Sequence, residues 1–340
     1  MLAALLTSYH QPLELIERPA PEPVRPSDVV VRIGGAGVCA TDVHAIEGWM
    51  QEAGLHPPRV LGHENAGWVE AVGDGVSTVR AGDPVVVYPA YSCGLCLACR
   101  RGQDMQCVNG QFIGLTVDGG FAEYLLTSER SLLKLAAGMD PAEVAPHADA
   151  GITAYHAVRK VCHLARPGSV AVVIGIGGVG HIGLQLLKEL GASTIVAVDA
   201  SERGRALAAE LGADHVVGAG QAAEAARDLT GGRGADLVID FVGADSTHAD
   251  SLAALSRGGT YSVVGYGGTV QAPSVRLVNS EHSIVANLVG TWPDLYELLE
   301  LHAAGKLSLR TQRHRLDEVN EVLEALRQGE VFGRAVLVPA

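Results

Sequence analysis

The stretch from Val170 to Gly180 constrains the fold more than any other part of the chain. An apolar run, Val170 to Ile174, is followed at once by Gly175-Ile176-Gly177-Gly178-Val179-Gly180, and then by Ile182, Leu186, Leu187 and Leu190 at helical spacing. Strand, GxGxxG turn and amphipathic helix in that order predict the opening βαβ unit of a dinucleotide-binding domain. Gly175 permits the tight turn, Gly177 lets the backbone approach a pyrophosphate, and Gly180 lets helix and strand pack closely. Gly178 and Val179 complete the turn, whose anion sits at the positive end of the helix dipole. Asp199 follows at the end of the next apolar run, where a carboxylate accepts hydrogen bonds from ribose hydroxyls and repels a 2′-phosphate, so NAD is expected over NADP. Arg203 nearby reads as a solvated helix residue.

Around this unit the rhythm is strand alternating with helix. Six runs qualify as strands: Val170 to Ile174, Thr194 to Val198, His215 to Val217, Asp236 to Phe241, Thr260 to Val264 and Ser283 to Ala286. Six match a complete parallel sheet with right-handed crossovers. Before residue 150 the pattern differs, with short β runs broken by Gly, Pro and Asp: Val29 to Ile33, Trp68 to Val72, Pro84 to Tyr88 and Phe121 to Thr127. Beyond residue 287 come two helical stretches, Pro293 to Ala304 and Leu316 to Gly329, and a last strand, Ala335 to Val338. The expected division is a β-rich domain over 1–149, a Rossmann domain over 150–287, and a segment over 288–340 that returns to the first domain. A length of 340 residues suits two such domains.

Net charge narrows the partners. The chain carries a formal charge of −13, whereas a surface that tracks phosphates or anionic lipid needs clustered Lys and Arg. A small-molecule substrate is expected, with neither nucleic acid nor membrane as partner. Met1 to His10 is apolar but lacks a basic leader pattern and reads as a first strand. A cytoplasmic protein follows, which also bears on the six cysteines, because thiols in a reducing compartment serve metals more often than disulfides.

Four of them, Cys93, Cys96, Cys99 and Cys107, form CxxCxxC with a fourth Cys close behind. Four thiolates so spaced close a tetrahedral zinc shell and leave no position for a substrate, which makes this zinc structural. A second set is scattered: Cys39, then His63 with Glu64, then Asp149. Thiolate, imidazole and carboxylate together leave a fourth position for water or an alcohol, as a catalytic zinc requires. Taken singly, each has a plainer reading: a small core residue, a buried histidine, a helix cap. Two zinc ions per chain are expected.

These residues carry a resemblance. Cys39-Ala40-Thr41-Asp42-Val43-His44, the run from Gly62-His63-Glu64 through Gly67, Val72-Gly73 and Gly82-Asp83, the four-cysteine lobe, Asp118 to Tyr124 and Gly175 to Gly180 together resemble the zinc-containing medium-chain alcohol dehydrogenases over nearly the whole length. The resemblance implies a GroES-like catalytic domain, a Rossmann domain and reversible hydride transfer between a primary or secondary alcohol and NAD. It implies Cys39, His63 and Asp149 as catalytic zinc ligands, with Asp149 standing where Cys is commoner. Glu64 matches the residue that approaches the zinc during ligand exchange, Thr41 the hydroxyl that takes the alcohol proton, and His44 the base that passes it to solvent. Thr153 matches a nicotinamide neighbour and Arg334 a contact to the pyrophosphate, while Ala40 stands where relatives often carry a cation. Trp49, Tyr91, Leu115 and Trp292 fall in or near stretches that line the substrate wall in relatives, with a place in the core as the equal alternative for each. A homo-oligomer is implied, a tetramer rather than a dimer. A polyol or amino-alcohol dehydrogenase is the rival reading, and a non-catalytic NAD-binding protein the rival from another class; intact Thr41 and His44 speak against the latter.

Overall fold

Val170–Ile174 consists wholly of buried aliphatic residues, as a central parallel strand covered on both faces must. In the computed structural model, which describes residues Met1–Ala340, it pairs in parallel with Thr194–Val198 on one side and Ala235–Asp240 on the other. The sheet order is His215–Val217, Thr194–Val198, Val170–Ile174, Ala235–Asp240, Leu255–Val263, Ser283–Ala286. Every neighbouring pair is parallel. Chain order reverses direction between the Val170 and Ala235 strands, so a crevice opens beyond their carboxyl ends. The fifth strand begins earlier than its hydrophobic run predicts. Leu255 pairs with Ala235, and a register irregularity before Leu237 accommodates Gly258 and Gly259, which interrupt the hydrophobic run.

The rest of the chain builds a mostly antiparallel seven-stranded sheet. Its path runs Leu132–Lys134, Pro84–Val87, Glu64–Val72, Asp28–Gly37, Arg334–Val338, Thr311–Arg315, with Tyr124–Ser128 also paired to Asp28–Gly37. The two ends of the chain therefore share one sheet, through Val336 opposite Gly37 and Leu337 opposite Ala36. A small sheet of Glu14–Glu17, Leu2–Leu6 and Arg59–Val60 lies in the same unit. The chain divides into two compact units: residues Met1–Ile152 with Thr291–Gly305 and Leu309–Ala340, and residues Thr153–Gly290 with Lys306–Ser308. The first unit's core is aliphatic, centred on residues such as Val31, Leu61, Val87 and Leu337, with Phe121 among them. No helix is long and apolar enough to cross a membrane.

Candidate metal and cofactor sites

Three separate segments of the first unit bring four potential ligands together. Cys39 caps the short helix Ala40–Ile46, His63 immediately precedes the strand Glu64–Val72, and Asp149 follows the 3-10 turn Ala145–Ala148. Their donor atoms, with one from Glu64, all lie within 4.8 Å of one another. Asp149 Oδ2 is 3.8 Å from Cys39 Sγ and 3.4 Å from His63 Nε2. A tetrahedral zinc shell with ordinary bond lengths has S···O and N···O edges of about 3.6 and 3.4 Å. His63 Nε2 is enclosed and makes no well-formed hydrogen bond, an arrangement that a shared cation satisfies. The donor set therefore fits zinc.

Asp42 is the residue that sequence reasoning missed here. It is fully buried, its Oδ1 stands 3.2 Å from His63 Nδ1, and its Oδ2 accepts the Cys39 backbone N–H at 2.9 Å. One carboxylate thus fixes both a histidine's orientation, by accepting from Nδ1–H and leaving Nε2 for the ion, and the backbone of a thiolate ligand. Burial works against a charged His63, but the negative charge of Asp42 and the contacts to Asp149 and Cys39 overcome it and hold the imidazole well above its ordinary range. The signal in the sequence was the acidic residue three places after the helix cap, a capping position rather than an obvious ligand partner.

Glu64 is held, not loose. Its carboxylate is fully buried and accepts Ala150 N–H at 3.0 Å and Arg334 Nε–H at 2.9 Å, with Arg334 Nη2 on its other oxygen. Gly37 makes this approach possible, since a Cβ there would lie 1.9 Å from Glu64 Oε2. Arg334, expected at a pyrophosphate, is placed here beside Glu64. The cross-sheet pairing of the last strand buries the guanidinium beside Glu64, with Asp149 Oδ2 at 4.0 Å. Burial disfavours its charge, but the thiolate of Cys39 and the carboxylate of Glu64 keep it protonated.

Thr41 and His44 lie on the helix that begins after Cys39. His44 is half-buried and stacks on Trp49, ring centroids 4.2 Å apart and 5° from parallel. Burial lowers its basicity, and Glu47 opposes that only in part. Trp49 remains 53% exposed. Of the other residues expected either on the substrate wall or in the core, Tyr91 and Leu115 pack on the aliphatic core, and Trp292 donates from Nε1 to the Leu132 carbonyl at 3.2 Å. His147, a possible substitute ligand by proximity in sequence, instead meets His302 at 3.1 Å.

The four-cysteine lobe is built from one loop. Its sulfurs are separated by 3.5 Å (Cys93 to Cys107 and Cys96 to Cys99), 3.9 Å (Cys96 to Cys107) and 4.0 Å (Cys93 to Cys99). The edge of a Zn–S4 tetrahedron is about 3.8 Å, and a disulfide bond is about 2.0 Å. Backbone N–H groups of Cys99 and Val108 pull the Cys96 thiol down to about 6, while burial pushes Cys99 up to about 12. Arg130 braces the lobe from outside, donating to Ser92 Oγ at 3.0 Å and to Asp104 Oδ1 at 2.7 Å.

In the second unit the Gly175–Gly180 turn sits at the switch between the two central strands. Gly175 has φ +84°, and a Cβ on Gly180 would lie 1.7 Å from the Gly175 carbonyl, whereas one on Gly177 would meet nothing within 4 Å. Close packing at Gly180 and open space at Gly177 fit a turn that receives a pyrophosphate. Asp199 Oδ2 accepts Ile176 N–H at 2.7 Å, and its Oδ1 accepts from Ser201 at 2.8 Å. A Cβ on Gly204 would lie 2.3 Å from the Asp199 carboxyl carbon. Thr153 is half-buried on the helix Ala150–Val161.

Comparison with known proteins agrees with this geometry. Residues 25–137 match the alcohol dehydrogenase GroES-like domain and residues 178–304 the zinc-binding dehydrogenase domain. The chain is 37% identical to a D-arabinose 1-dehydrogenase (NADP(+)) of Saccharolobus solfataricus, over 99% of this chain and 97% of the relative. It is 34% identical to an NAD-dependent alcohol dehydrogenase of Sulfurisphaera tokodaii over all of both chains. The crystal structure of an alcohol dehydrogenase from Aeropyrum pernix superposes with a TM-score of 0.96 at 45% identity, covering 100% of each chain.

Proposed function

Since the chain belongs to the medium-chain alcohol dehydrogenase family and is an oxidoreductase acting on CH–OH groups, we propose that it interconverts primary or secondary alcohols and their carbonyls with zinc and NAD. The observation that carries this reading is the mixed donor set of buried Cys39 and His63 with partly exposed Asp149, in which Asp42 orients His63. Bound zinc supplies Lewis acidity at the substrate oxygen, and NAD supplies the hydride acceptor. Thr41 Oγ1 takes the alcohol proton and His44 hands it to solvent. A histidine whose basicity is lowered by burial is neutral at pH 7 and able to accept that proton. Glu64 and Arg334 balance charge behind the ligands and keep the carboxylate within reach of them.

NAD is preferred over NADP because Asp199 would face a 2′-phosphate with like charge. One relative is named for NADP(+), so the choice rests on Asp199 in this chain. The same relative's name favours a second reading, a sugar or polyol as substrate. Two zinc ions per chain, a cytoplasmic location and a tetramer complete the proposal. Exposed Leu95, Leu97 and Val108 on the lobe, and Val275, Val278 and Leu288 on the second unit, are apolar surface of the kind that assembly covers. A panel of primary, secondary, benzylic, polyol and aldose substrates, each with NAD and NADP and followed by reduced-cofactor absorbance, tests the reading. Turnover of simple alcohols with NAD is expected. Activity confined to polyols or aldoses would move the protein to the second reading, and equal use of both cofactors would remove the role of Asp199.

A further inference from the structure

The second unit buries a carboxylate that the proposed chemistry does not use. Asp240 ends the fourth strand, has no exposed surface, and lies level with Ile174, the last residue before the glycine turn. A buried carboxylate is costly unless hydrogen bonds compensate it. Here Oδ1 accepts Val242 N–H at 2.9 Å and Gly243 N–H at 3.1 Å. Oδ2 accepts the Thr247 hydroxyl at 2.8 Å and the Tyr261 hydroxyl at 3.0 Å. Tyr261 has its own partner in His248 Nδ1 at 2.5 Å. With the phenol proton committed to Asp240, His248 donates, giving a directed chain from histidine to tyrosine to carboxylate.

The turn that this carboxylate holds touches the glycine turn from two sides. Phe241 lies against the helix Gly180–Leu190, so that a Cβ on Gly183 would sit 2.2 Å from its ring and one on Gly180 3.3 Å. A Cβ on Gly175 would sit 2.5 Å from Val242 Cγ2. Phe241 N–H also donates to the Ile174 carbonyl at 2.9 Å. Resting on the dinucleotide reading, we infer that Asp240, with Tyr261 and His248 behind it, is a positioning residue for the cofactor. It sets the shape of the pyrophosphate turn through Phe241 and Val242 without touching the ligand itself.

NADH titration by protein fluorescence, with steady-state kinetics on the same zinc-loaded preparations, tests this. Tyr261→Phe and Thr247→Val each remove one donor to Asp240, and Asp240→Asn alters the carboxylate itself. Leaving one buried partner unsatisfied weakens a coupled equilibrium by about tenfold. The expected result is a rise of about that size in the NADH Kd and the NAD KM, with the alcohol KM and the kcat at saturating NAD within about twofold. Variants that melt earlier but bind NADH normally would overturn the inference and leave a merely structural knot. If Asp240→Asn does not fold, the two single-donor variants decide alone. An unmodified protein that binds no NADH would take the dinucleotide reading with it.

Discussion

The two candidate metal sites differ in how they are made. The lobe draws its four thiols from one loop between Cys93 and Cys107, three of them partly exposed, braced from outside by Arg130. The mixed site draws its ligands from residues 39, 63 and 149, buries the first two and leaves Asp149 partly exposed, and surrounds them with Asp42, Glu64 and Arg334. A site closed within one loop keeps its ion whether or not the rest of the unit is well packed. A site assembled across a sheet holds its ion only as well as the sheet positions the ligands. The first arrangement suits stability, while the second leaves a coordination position for chemistry.

The largest expected effect that sharpens this contrast comes from Asp149→Ala. With two protein ligands left, the mixed site should release zinc and turnover should vanish, while metal analysis still finds the lobe's ion. A variant retaining both ions and normal turnover would break the assignment of Asp149, and His147 is no substitute because it faces His302. Next comes Asp42→Asn. Losing the carboxylate behind His63 should lower zinc affinity or activity by about 10- to 100-fold, read by competition with a chelator. An unchanged zinc affinity would show that the backbone alone orients the ligands.

A smaller loss is expected from His44→Gln. Both ions should remain and NADH should bind normally, while alcohol oxidation slows by about 100-fold or less, because water can replace a relay that opens to solvent. The sign of the pH effect follows from the lowered basicity of His44. The unmodified enzyme should keep its rate down to a pH below the ordinary histidine range and lose it as His44 protonates. In the variant that acid limb should disappear or move, and an unaltered profile would show that His44 carries no proton. The smallest change in turnover is expected for Cys99→Ser, which should lower Tm and zinc content while kcat per folded chain stays put, since a closed site contributes folding free energy rather than chemistry. A matching fall in kcat would erase the distinction between the two sites.

Local pattern carried the parts of this protein that are local. The βαβ unit was legible from Val170 to Leu190 because an apolar run, three glycines and a helical face are adjacent in the chain and each has its own steric reason. The lobe was legible because four thiols within one loop have few arrangements other than around an ion. The early start of the fifth strand was not, since Gly258 and Gly259 break the hydrophobic run and only pairing with Ala235 extends it. Asp42 reads in sequence as a helix-start residue and in three dimensions as the partner of His63. Arg334 is given by resemblance only as a contact to the pyrophosphate, and the pairing of the last strand with Asp28–Gly37 is what buries it against Glu64. Asp240 is one more acid at the end of a strand until four donors from four residues converge on it. Residue types and short spacings thus specify which chemistry is available. Which buried charges meet is set by strand pairing between distant segments, because a charge removed from water takes whatever partner the sheet brings within a few ångströms.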